Sequence, residues 1–301
     1  MNANQMIAAK FEANRSHLRA VAYRMLGSLS EADDAVQEAW LRLSRSESND
    51  IQNLGGWLTT VVARVCLDLL RSRKARSEET LETRMAEPVA KTGPGSDPEQ
   101  EAILAESVGL ALLVVLDTLA PAERLAFVLH DMFAVPFEEI APIVGRSEDA
   151  TRQLASRARR RVQGSDRVRR SALHPSELAG QREVVEAFLA AMHAGDFEGL
   201  IAVLDPEVVV RADGPGGVRE IHGARNWAKG ALAYQARFRD AQPARFMQLA
   251  LVDGAVGIIL APSGKLSRVL RFTIADRKIR EVEIIVNPER LRKLDLAVPN
   301  L

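Results

Sequence analysis

Between residues 6 and 26, Ile7, Phe11, Leu18, Val21, Ala22 and Met25 recur at mostly helical spacing, which predicts an amphipathic helix ended by Gly27-Ser28. Ser30 is then expected to cap a second helix, with Asp33 completing a capping-box-like start. Ala32, Val36, Ala39, Trp40 and Leu43 form its apolar stripe, and Asp34, Glu38, Leu41 and Arg42 lie on another face. Gly55-Gly56 precede a third helix that runs to about Arg76. It is apolar at Leu58, Val61, Val65 and Leu69 and basic at its end, through Arg71, Arg73, Lys74 and Arg76. Periodicity then fades. Residues 77–105 hold Pro88, Gly93, Pro94, Gly95 and Pro98 among acids, the composition of a flexible linker.

Helical patterning returns over 106–162. Val108–Leu116 is strongly apolar, Pro121 and Glu123 mark a helix start, and Phe127, Val128 and Met132 continue its buried side. A short helix over Phe137–Val144 breaks at Gly145, and Ser147 caps the next, with Glu148 and Asp149 in its first turn. This is a helix-turn-helix pattern. On a helical wheel Ala150, Leu154 and Ala158 share the docking side, while Asp149, Arg152, Ser156 and Arg159 point away and Gln153 and Arg160 flank them. Such an arginine-rich face suits a major groove, by pairing with guanine or by contacting phosphates.

The remainder reads as α+β. Helices are expected within 181–204 and over Ala224–Phe238. Strands are expected at Glu207–Ala212, Arg245–Val252, Ala255–Leu260, Leu266–Ile274 and Lys278–Val286, forming an antiparallel sheet, with Asp213–Gly217 as a tight turn.

The 301 residues allow two or three domains, at roughly 100–200 residues each. A hydrophobic fraction of 47% excludes a wholly disordered chain. The single cysteine, Cys66, excludes an intrachain disulfide framework and multi-cysteine metal sites, which suits a reducing cytoplasm. No secretory h-region is evident near the N-terminus, and Val108–Leu116 is too short to span a bilayer, so a cytoplasmic location without membrane association is expected. Forty basic and forty acidic residues cancel. Zero net charge would weigh against a polyanion partner, were the charges evenly spread. Instead, residues 1–76 carry net +3, 77–107 net −6, 108–145 net −4, 146–170 net +6 and 171–301 net +1. That asymmetry points to a polyanion partner.

The segments SLSEADDAVQEAWLRL (28–43), GWLTTVVARVCLDLLRSRKAR (56–76) and LAPAERLAFVLHDMFAVPFEEIAPIVGRSEDATRQLASRARRRV (119–162) resemble regions 2 and 4 of the extracytoplasmic-function sigma factors of bacterial RNA polymerase. The resemblance implies that Asp33, Asp34, Gln37 and Glu38 meet the β′ clamp helices of the polymerase core, with the β subunit as a further partner. It implies −10 promoter contacts from the segment Trp57–Arg76, among them Trp57, Arg64, Arg71, Arg73 and Lys74. It assigns −35 contacts to Arg152, Gln153, Ser156, Arg157 and Arg159. The acidic linker resembles the segment that such proteins thread through the polymerase.

Three helices followed by a sheet resemble the NTF2-like (SnoaL-like) cone, a fold that usually encloses an apolar pocket. The combination resembles the ECF41 or SigJ-like type, in which a fused SnoaL-like domain regulates the sigma core in cis and no separate anti-sigma factor is required. Asn287-Pro288-Glu289-Arg290-Leu291 resembles a motif of that type. Asp213-Gly214-Pro215-Gly216-Gly217 stands where its members carry Asp-Gly-Gly-Gly-Lys, and Arg84-Met85-Ala86-Glu87-Pro88 where they carry Trp-Leu-Pro-Glu-Pro. The residues assigned to regulation are therefore Glu87, Pro88, Asp213, Gly214, Gly216, Asn287 and Pro288.

The expected organisation is a multidomain chain. It comprises an all-α sigma-2 bundle (1–76), a linker (77–105), an all-α sigma-4 helix-turn-helix (106–165), a second linker (166–180), an α+β SnoaL-like domain (181–290) and a tail (291–301). No cofactor or metal is expected, and the chain is read as a non-enzyme. The alternative is a SnoaL-like enzyme or ligand sensor fused to a DNA-binding module, with Asp213, His222 and Asp253 as candidate groups. A small-molecule ligand in the third domain stays open.

Overall fold

Three helices open the chain: α1 (Ala3–Leu26), α2 (Leu29–Arg45) and α3 (Leu54–Thr80). They pack on one another through Phe11, Leu18, Val21 and Met25 of α1, Val36, Ala39 and Leu43 of α2, and Leu58, Val62 and Cys66 of α3. Some local details differ from the sequence expectation. Ser28, not Ser30, receives the Glu31 N–H at the start of α2. Gly55-Gly56 lie inside α3, because Asn53 caps it by accepting from Gly56 N–H at 3.0 Å. Leu69 is exposed, and Val62, Cys66, Leu67 and Leu70 fill the inner face instead.

The helix-turn-helix is built from α4 (Leu110–Asp117), α5 (Pro121–Phe127), a single π turn over Val128–Met132, α6 (Phe137–Val144) and α7 (Glu148–Val162). Gly145, at φ 74°, makes the left-handed turn between α6 and α7, a conformation that costs glycine nothing. Ser147 Oγ then caps α7 by accepting from Ala150 N–H. The buried stripe of α7 is Thr151, Ala155, Ala158 and Val162, with Leu154 only half-buried. The docking side is thus turned by about one residue from the stripe read off the wheel.

The structure, a computed structural model, describes residues 3–45, 52–80, 109–164, 174–214, 217–237 and 246–298. The chain divides into two compact units, residues 1–101 with 116–159 and residues 102–115 with 160–301. The three-helix bundle and most of the helix-turn-helix, expected as separate domains, share the first unit. Phe133 joins them, edge-on to His17 at 5.2 Å and under the Arg24 guanidinium at 5.1 Å.

The second unit sets α8 (Pro175–Ala194), α9 (Phe197–Val203) and α10 (Ala224–Arg237) against a seven-stranded sheet. The strands are β1 (Leu204–Gly214), β2 (Gly217–His222), β3 (Met247–Val252), β4 (Ala255–Leu260), β5 (Arg268–Ala275), β6 (Lys278–Ile285) and β7 (Leu296–Ala297), in the order β2-β1-β6-β5-β4-β3-β7. A short α11 (Pro288–Leu291) follows β6. The sheet is mixed, not antiparallel throughout: β1 runs parallel to β6. β2 and β7 carry no pattern that marked them in the sequence, since β2 is exposed along its whole length and β7 is two residues long. Phe188 stacks on Trp227 at 5.3 Å and meets Phe272 at 5.5 Å, so aromatic rings fill the space between helices and sheet. A cavity of about 310 Å³ is lined instead by a mixture of charged groups, Arg211, Arg271, Glu281 and Glu283, and apolar ones such as Val256 and Phe272. Within this unit Ala111 N–H donates to Gln248 Oε1 at 3.3 Å, and Val298 N–H to the Val162 carbonyl at 3.1 Å.

Burial pushes the Cys66 thiol up to about 12 from an ordinary value near 9. The unfolded chain loses this proton first, so the contribution of Cys66 is full below about pH 9 and falls by about 1.4 kcal/mol per pH unit towards about pH 12. Urea denaturation from about pH 8 to about pH 10 should show the wild type losing stability relative to Cys66→Ala as pH rises. A constant difference between the two would contradict the burial argument.

Candidate nucleic-acid interface

The exposed side of α2 carries Asp33, Asp34 and Gln37, with half-buried Glu38 beside them. Two of the three acids have partners: Asp33 meets Arg19 Nε at 2.7 Å and Glu38 meets Arg42 Nε at 2.9 Å. Leu41, also exposed, continues this face one turn on from Glu38 and Gln37. The sequence reading placed Leu41 there and gave it no role.

On α3, Arg64, Arg71 and Lys74 are exposed and Trp57 is half-buried. Arg73 differs. It turns back into the bundle, forming an ion pair with Glu31 and donating to the Leu26 carbonyl at 3.4 Å. It therefore holds α3 against the α1–α2 corner. The helical repeat separates Arg73 from its exposed neighbours Arg71 and Lys74.

On α7, Arg152, Gln153, Ser156, Arg157 and Arg160 are exposed, and Arg159 is half-buried. Arg152 pairs with Glu148 on its own helix and lies over the Phe137 ring at 5.7 Å. Arg157 reaches Glu123 at 3.1 Å and Arg159 reaches Asp131 at 2.6 Å, so Arg159 does not point outward as the wheel suggested.

Arg124 was missed as a key residue by the sequence reading, though it is the one basic residue within 108–145. It is 2% exposed. Its Nε and Nη2 both donate to the Arg24 carbonyl near the end of α1, at 3.2 Å each, and Nη1 meets Asp117 at 3.2 Å. Burial pushes its pKa down, while Asp117 pulls the other way. The fork thus satisfies an orphan carbonyl at a helix C-terminus, where a cation is also favoured by the macrodipole.

The regulatory candidates divide. Glu87, Pro88 and Gly216 lie outside the described residues. Asp213 sits in β1, not in a turn. Its Oδ1 accepts from the N–H groups of Val286 and Asn287, and its Oδ2 from Arg290 at 2.8 Å. Asn287 Oδ1 accepts from Glu289 and Arg290 N–H, capping α11 with Pro288 at its first position. Arg290 also pairs with Glu283, and this hydrogen bond, foremost, holds its pKa above the usual arginine value. Two segments more than seventy residues apart in sequence therefore meet through one carboxylate. Gly214 ends β1 beside them. His222 is exposed next to Glu220, and Asp253 accepts from Asp295 N–H. Among the described residues no cluster of three or more His, Cys, Asp or Glu could hold a metal, and no helix is long and apolar enough to cross a membrane.

An acidic helix face and two separate basic helices in one chain call for two kinds of partner, a protein and DNA. Sigma factors are the class so equipped. Residues 11–76 match Sigma-70 region 2, and residues 109–162 match Sigma-70, region 4. The chain is 39% identical over 298 residues to the ECF RNA polymerase sigma factor SigJ of Mycobacterium tuberculosis, covering 95% of this chain and 93% of SigJ. It is 35% identical over 294 residues to the probable ECF RNA polymerase sigma factor SigI of the same species, covering 98% of each. The crystal structure of M. tuberculosis SigJ matches with 36% identity and a TM-score of 0.45, covering 94% of this chain and 98% of that one. The chain belongs to the extracytoplasmic-function RNA polymerase sigma factors. Its activity is promoter recognition in transcription initiation.

Arg124→Ala should lower the unfolding free energy by about 2–3 kcal/mol, because it removes charge-assisted hydrogen bonds and strands a buried carbonyl. Arg124→Lys should recover little of this, since an ammonium cannot reproduce the fork. Urea midpoints check both, and an unchanged midpoint for Arg124→Ala would contradict the assignment.

Proposed function

We propose that the two faces of the α1–α3 bundle divide the work of initiation. Asp33, Asp34, Gln37 and Glu38 engage the β′ clamp helices of the core, and Trp57, Arg64, Arg71 and Lys74 engage the −10 element. Arg73 serves the bundle. The exposed side of α7, with Arg152, Gln153 and Ser156, engages the −35 element. The observation that carries this reading is the separation of charge by helix: an acidic exposed face on α2 and basic exposed faces on α3 and α7. Each face meets a partner of opposite sign, which favours both encounter and specificity.

We further infer that the C-terminal domain is a regulator in cis and not an enzyme, in the cytoplasm and without a separate anti-sigma factor. The node Asp213–Asn287–Pro288–Arg290 supports this. It is a charged corner that ties β1 to the start of α11 within the second unit. His222, Asp213 and Asp253 each have a structural partner, which favours regulation over catalysis. The cavity near Arg211 and Arg271 is where a small polar ligand would be admitted.

In the full-length chain, Asp34→Lys with Glu38→Lys should weaken binding to core polymerase at least about tenfold, since juxtaposed like charges cost several kcal/mol. The thermal midpoint should fall only slightly, because Asp34 is exposed and Glu38 gives up a single helical ion pair with Arg42. Binding at wild-type strength would sink the clamp-helix assignment. For the cis reading, Asp213→Ala should change promoter output at equal polymerase occupancy. Identical output would count against regulation through that node.

A further inference from the structure

The arginines of α7 divide by partner. Arg157 Nε lies 3.1 Å from Glu123 Oε1, and Arg159 Nε and Nη2 lie 2.7 Å and 2.6 Å from Asp131 Oδ1. Both carboxylates are largely covered, with side chains 15% and 18% exposed. Glu123 stands in the first turn of α5 and Asp131 in the π turn that ends it. Two arginines of α7 are thus tied to α5 and the π turn that ends it.

Their angular positions matter. The buried stripe Thr151, Ala155, Ala158 and Val162 sets the inward direction of α7. At about 100° per residue, the opposite direction runs through Gln153 and Arg160, with Ser156 about 50° to one side. Arg157 lies about 50° to the other side, and Arg159 lies beyond Ser156, about 110° from the outward axis. The two ion pairs therefore grip α7 from opposite flanks. Such a grip fixes the roll of a helix about its own axis, and roll decides which side chains face the base edges. Arg160 is exposed at the centre of the outward face, in the last turn of the helix, where backbone phosphate rather than a base edge is within reach.

We propose that Arg157 and Arg159 are positioning residues that set the roll of α7 and touch no DNA, and that Arg160 neutralises a promoter phosphate beside the reading residues Gln153 and Ser156. The division rests on α7 as the −35 helix.

The test uses the full chain in the polymerase holoenzyme, with promoter binding measured against salt on a set of −35 sequence variants. Arg160→Ala should weaken binding equally on every variant and reduce the salt exponent by about one. Arg159→Ala should leave the exponent unchanged and narrow the spread of affinities across the variants. Asp131→Asn should reproduce the Arg159→Ala result although it leaves the arginine in place. The exchange Asp131→Arg with Arg159→Asp should restore the spread. The proposal is overturned if Arg159→Ala lowers the exponent by about one while Asp131→Asn is silent, because Arg159 would then contact phosphate. An unchanged spread in both single variants overturns the positioning role. If neither Arg160→Ala nor Gln153→Ala alters binding, the −35 assignment of α7 itself fails, which is a different outcome from the other two.

Discussion

A buried guanidinium needs every hydrogen bond that the site can offer, and the first unit is arranged around that demand. Arg124 spends both arms of its fork on the last turns of α1 and on Asp117. The acceptor is available because α1 stops at Leu26 and Gly27 turns away at φ 73°, leaving room close to the arginine head. Once that geometry is set, Phe133 is placed between His17 and Arg24, and α5 lies along the bundle. Hydrophobic residues supply most of the burial, but they are not directional. The arginine adds direction to the contact, because its planar fork must meet the Arg24 carbonyl and Asp117 together.

The same economy explains why net charge says so little about this chain. Several of its arginines pair with groups inside the fold. Arg73 serves Glu31, Arg124 serves α1, Arg157 and Arg159 serve the α5 segment, and Arg290 serves Asp213 and Glu283. The other exposed basic side chains of α3 and α7 are a smaller set than the composition suggests. The acidic face on α2 stands in the same bundle as the basic side chains of α3.

Much of the architecture was legible in the sequence because the apolar period is clean in the relevant stretches. The helix Phe137–Val144, the strand Ala255–Leu260 and the breaks at Gly27, Gly145 and Gly195 follow directly from local chemistry. The candidate faces were legible in part. Residue type and motif order placed Asp34, Arg64 and Gln153 on exposed surfaces. What a single strand of sequence does not carry is the partner. Whether an arginine points to solvent or to a carboxylate 28 positions away depends on tertiary packing, as Arg159 and Asp131 show. The parallel pairing of β1 with β6, and the meeting of Asp213 with Asn287, are equally non-local. The edge strand β2 lacks an apolar alternation because neither of its faces is buried, so no periodic signal exists to be read.

The central claim is that this chain gives RNA polymerase its choice of promoter. The most direct measurement is run-off transcription from genomic DNA by core polymerase, with and without the full-length chain, followed by mapping of transcript 5′ ends. The account predicts discrete start sites that appear only with the chain and share upstream sequence at the −10 and −35 positions. Duplex DNA binding by the chain alone, with start sites unchanged by its addition, would contradict it.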